Sequence, residues 1–163
     1  MSTLSLGLVT REGFHNFEIC NIKETGTTKF SILLTVDLVF KVRGAFLPSN
    51  GSLVSEKVCP VWPKGNSWFV VKGKADEEKD ELEEGFYIVG FREEIKLKDG
   101  LLGVILPLED AALRGCVVMP VVLSPRQQGR FMAGAFLSAG CILERGTEVA
   151  HLFVLQLKEQ KQK

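Results

Sequence analysis

From residue 85 onward the chain is a succession of short apolar runs broken by Gly, Pro and Ser, and very little of it has the length or periodicity of a helix. "GFYIVGFREEIKL" alternates near its start before turning polar; "GLLGVILPL", "GCVVMPVVL" and "GRFMAGAFLSAG" follow at short intervals. Runs of this length, rich in β-branched and aromatic residues and separated by turn formers, specify strands of a sandwich or barrel. "FSILLTVDLVFKV", residues 30–42, and "SWFVVKGK" extend the pattern upstream. One short helix is expected over residues 107–115, "PLEDAALRG". Pro, Glu and Asp stand early there, alanines follow, and Arg114 precedes a terminating glycine.

Near the end, "CILERGTEVAHLFVLQL" places two apolar runs on either side of Glu144-Arg145-Gly146-Thr147, which reads as a hairpin. The stretch "KADEEKDELEEG", residues 74–85, carries its acids too densely for a helix with an apolar face and reads as an exposed acidic insertion between strands. The terminal "KEQKQK" reads as a frayed, solvated end.

Composition narrows the function. With 163 residues, one domain over 1–163 is expected, and a formal net charge of +0 gives no electrostatic reason to bind nucleic acid. No apolar run approaches a bilayer span and no signal-peptide pattern opens the chain, so a cytoplasmic or otherwise intracellular protein without a membrane role is expected. Cys20, Cys59, Cys116 and Cys141 lie far apart with neither histidine near them in sequence, a spacing that fits small apolar core residues better than a metal site. No metal ligands are assigned. Phosphate-binding loops, nucleophile elbows, zinc-protease helices and dinucleotide fingerprints are missing from the sequence.

The order of segments carries the reading further. "LERGTEVAHLFVLQL" resembles the closing hairpin of the dUTPase and dCTP deaminase superfamily, in which a glycine turn leads into a strand of the form I-x-Q-L-x-F. "PLEDAALRGC" is similar in position to that family's G-R-S-S-L-A-R-L-G helix. "SPRQQGRFMAGAFLSAG" falls where the family carries D-P-G-W-x-G followed by a strand bearing the catalytic glutamate, and "LLTVDLVFKV" resembles its S-V-D-L segment, with Asp37 on the aspartate. The resemblance runs from about residue 34 to residue 157; residues 1–30 add no motif.

The resemblance implies a mainly β fold, a distorted jelly-roll barrel with one or two short helices, assembled as a homotrimer with sites between subunits. It also implies turn or close-approach roles for Gly103, Gly115 and Gly129. The chemistry departs from the family. Where the family's helix offers two serines to a triphosphate, this chain has Glu109 and Asp110, which suit a helix N-terminus and repel phosphate. The deaminase glutamate falls on Gly134, and the dUTPase aspartate on Ser124, with Gln127 in place of the aromatic residue after it. No acid occurs between Asp110 and Glu144, so a small shift of alignment restores neither base.

The expectation is therefore a trimer that has lost the parent catalysis, with no catalytic residues assigned and no cofactor. It would act in nucleotide sensing, in regulation or as a structural interaction protein, with a deoxynucleotide or another protein as partner. Its candidate nucleotide-binding residues are Asp37, Glu109, Asp110, Arg114, Arg126, Gln127, Gln128, Gly129 and Arg130; the two arginines and two amides around Gly129 can meet an anion or a pyrimidine edge. The alternative is an active dCTP deaminase or dUTP diphosphatase using Asp37, Glu93, Glu94, Glu109 or Asp110 in new roles with Mg²⁺.

Overall fold

The computed structural model describes residues 3–9, 18–20, 27–46, 54–60, 68–72 and 82–160. In chain order the strands of its first half are β1 (Thr3–Leu8), β2 (Glu18–Cys20), β3 (Ile32–Phe46), β4 (Val54–Pro60), β5 (Trp68–Lys72) and β6 (Leu82–Glu83). The second half holds β7 (Gly85–Lys96), β8 (Leu101–Pro107), helix α1 (Glu109–Leu113), β9 (Cys116–Val118), β10 (Val121–Leu123), β11 (Gln128–Leu137), β12 (Ile142–Glu144) and β13 (Glu148–Gln160). The fold is the expected mainly β, curled barrel type, with one short helix among the described residues.

A large sheet runs β10-β8-β13-β3-β7-β11-β9, with β1 beside β13, β2 beside β7 and β4 beside β3; β12, β5 and β6 form a smaller one. The fifteen-residue β3 makes the large sheet curl. Ile32 to Thr35 pair with β13, the register shifts between Val36 and Leu38, and Leu38 to Phe40 then pair with β7 before the strand continues along β4. A bulge bends its strand and increases local twist, so one strand serves two differently directed parts of the sheet. Asp37 is the residue skipped at this bend.

Burial follows the two-residue period. On β7, Tyr87, Val89, Phe91, Glu93 and Ile95 are buried while Phe86, Glu94 and Lys96 are exposed between them. Their buried face meets Ile32, Leu34, Val36 and Val39 of β3, Ala135 and Leu137 of β11, and Leu152 and Val154 of β13 in one core. Phe91, 1% exposed, contributes about 2–3 kcal/mol through burial, and Phe91→Ala would cost about 3–5 kcal/mol. Gly103 of β8 is required by close approach: a Cβ there would lie 3.1 Å from Leu123 and 3.2 Å from Leu152.

Three sequence expectations are corrected. The turn after β12 is tight, with the Thr147 N–H donating to the Glu144 carbonyl at 3.0 Å and Gly146 at φ 88°, but it does not close a hairpin. β12 pairs with β5, whereas β13 pairs with β1, β3 and β8. The turn instead clips onto β3: Gly146 N–H donates to Val36 O at 2.7 Å and Val36 N–H to Thr147 O at 2.9 Å. The helix is shorter than expected, because Pro107 still belongs to β8 as the partner of Ala150, and Leu108 N–H donates to Val149 O. At the other end, Arg114 caps the helix and Gly115 takes φ 90°.

The third correction concerns the end of the chain. Lys158 to Gln160 continue β13 and pair with Ser5 to Thr3 of β1, so this part of "KEQKQK" is strand and not a frayed end; residues 161–163 lie outside the described residues. Of the acidic stretch 74–85, residues 74–81 also lie outside them. Leu82 and Glu83 form β6, parallel to β5, and Gly85 opens β7.

Candidate functional site

Four charged residues of the outer surface meet where β3 bends. Asp37, whose side chain is 21% exposed, accepts from Arg130 Nη1 of β11 at 3.3 Å, and Arg145 Nε of the β12–β13 turn lies 3.9 Å from its other oxygen. Arg130 Nε donates at 3.3 Å to Glu94 Oε1 of β7, its antiparallel partner. Two guanidinium groups and two carboxylates thus meet on four segments distant in sequence. Their formal charges cancel, so the cluster is a clasp between elements before it is an anion trap.

The cluster joins two of the sequence-predicted residues, Asp37 and Arg130, and adds two. Glu94 is one of the acids named in the alternative, enzymatic reading. Arg145 was missed, although its place in a glycine turn after a strand is the signal that could have found it. Glu93, also considered as a relocated acid, points the other way: it is 1% exposed, and its carboxyl oxygens accept from the Thr35 N–H at 2.9 Å and the Thr35 hydroxyl at 2.7 Å. It locks β7 to β3 inside the core and is closed to a ligand.

The other predicted residues are used locally. The Gln127 N–H donates to Ser124 O at 3.3 Å, which makes a turn with Pro125 second and Arg126 third, at φ 67°. A positive φ at that position belongs to type II turns and is strained for arginine. The Arg126 guanidinium bonds both oxygens of Asp99, and this contact holds the exposed Asp99 carboxyl below its usual range. The Gln127 side chain accepts from the Ser124 N–H at 2.7 Å, and Gln128 and Gly129 pair with Lys96 and Ile95. Glu109 and Asp110 are exposed in the first turn of the five-residue α1, with Leu108 as N-cap and no side-chain capping bond; Arg114 is exposed at its end.

Next to the charged cluster, the end of this outer face formed by Phe86 to Gly90 of β7, Met132 to Phe136 of β11 and Val117 of β9 is apolar. Phe86 pairs with Phe136, their rings 5.3 Å apart edge to face, and Phe136 pairs with Val117. One row along, Gly134 lies between Ile88, its partner, and Met119, whose N–H donates to Gly134 O at 2.7 Å and whose Cγ would lie 3.4 Å from a Cβ on the glycine. Met132 extends the patch beside Gly90. Phe86 is 68% exposed and Met132 57%. Folded monomers seldom leave large side chains this open in a contiguous group.

A second outer face, on β10, β8 and β13, has the same character. Val122 pairs with Val104, which pairs with Phe153; Leu106 pairs with His151, which pairs with Leu33 of β3. Val122 is 67% exposed and Leu8, the partner of Leu155, 44%. Among these positions only His151 titrates.

Among the described residues no group of three or more His, Cys, Asp or Glu side chains is arranged to hold a metal ion. Cys116 and Cys141 are buried thiols, as expected of core cysteines, and burial pushes Cys116 up to about 12 with Cys141 adding to the shift. The side chains of Cys20 and Cys59 lie outside the described residues. No helix among the described residues is long and apolar enough to cross a membrane.

No protein-family model matches the chain, and no curated protein matches it in sequence. Among solved structures, the crystal structure of 2'-deoxycytidine 5'-triphosphate deaminase from Agrobacterium tumefaciens matches with a TM-score of 0.63 and 12% identity. The match covers 93% of this chain and 48% of that one, so this chain spans about half the length of the deaminase it resembles. The chain has the dCTP deaminase fold, and the resemblance read from its sequence holds at that level.

Proposed function

We propose that this chain is a self-associating binding module on the dCTP deaminase fold that has given up deamination and diphosphate release. The observation that carries the reading is the setting of Gly134. Where the family resemblance puts a proton-shuttling glutamate, the chain has a glycine between Ile88 and Met119, on a surface whose neighbours are Phe86, Phe136 and Met132. A glycine moves no proton, and the apolar surroundings suit contact with another protein surface better than an ionised base.

Assembly as a homotrimer supplies what the two outer faces lack. They are different surfaces on different strands, both apolar, and a head-to-tail contact between unlike faces closes into a ring when the rotation permits. Three copies bury both faces on every protomer. The Asp37, Arg130, Glu94 and Arg145 cluster lies beside the first face, so a deoxynucleotide or a protein partner would be met at the margin of the subunit contact. An intracellular, cytoplasmic setting belongs to the same reading.

The test is direct assay of purified protein with Mg²⁺ and dCTP or dUTP. The reading expects neither ammonia nor pyrophosphate above a protein-free blank. Turnover that copurifies with the chain and is lost in Asp37→Ala would return catalysis to the charged cluster and overturn it.

A further inference from the structure

We draw no further inference here: the strongest candidate, the ion-pair cluster of Asp37, Arg130, Glu94 and Arg145 on the outer surface where β3 bends, belongs to the site already described.

Discussion

Thr35 gives both its backbone N–H and its hydroxyl to the carboxyl group of Glu93, at 2.9 and 2.7 Å, and the pair is sealed in the core where β3 crosses from β13 to β7. A polar pair in that position is stable because each group answers the other's hydrogen-bonding need, and removing one strands the other. Glu93→Ala is expected to lower unfolding free energy by about 2–4 kcal/mol in urea titrations. Glu93→Gln can still accept from the N–H and donate to the hydroxyl, so its cost should stay below about 1 kcal/mol. Equal losses in the two variants would show that the pair's hydrogen bonds are not what matters there.

The clasp at Asp37 calls for the opposite pattern. Its ion pairs are partly exposed and each is worth at most about 1 kcal/mol, so Asp37→Asn should leave the urea midpoint almost unchanged. It would, however, remove one negative charge from beside Arg130 and Arg145 and make the cluster more positive by one. Calorimetric titration should then show tighter dCTP or dUTP binding in Asp37→Asn than in wild type, because one carboxylate about 5 Å from a phosphate opposes it by roughly 3 kcal/mol before screening. No heat in either protein would restrict the cluster to holding segments together.

Thiol chemistry provides a third check. With Cys116 at about 12, its thiolate fraction at pH 8 is roughly one in ten thousand, and burial raises Cys141 as well. Iodoacetamide at pH 8 followed by peptide mass mapping should leave both unmodified in folded protein and alkylate both after denaturation. Rapid labelling of either in the native state would contradict their buried placement.

Much of this architecture could be read in the sequence, because strand period and turn chemistry are local. β7, β8, β11 and β13 lie close to their apolar runs. What could not be read was pairing. The residues around Gly146 have the chemistry of a hairpin turn, yet β12 joins β5 and β13 joins β3, since long-range burial of Val149, Ala150 and Leu152 outweighs the local option. Glu93 has the composition of a surface charge and becomes a core residue only because Thr35, fifty-eight positions away, meets it. Arg145 enters the site for the same reason: Asp37 stands at a bulge that no single segment announces.

The surface of Phe86 and Phe136 carries the central claim, that the chain assembles with itself through the apolar faces its fold leaves open. Sedimentation equilibrium at pH 8 and micromolar concentration tests it most directly, with Phe86→Glu run beside wild type. The account predicts a wild-type mass three times the 18.0 kDa protomer and a shift of Phe86→Glu toward a single folded protomer, since a desolvated charge in that contact has no partner. A wild-type protein that sediments as one protomer across the concentration range would contradict it.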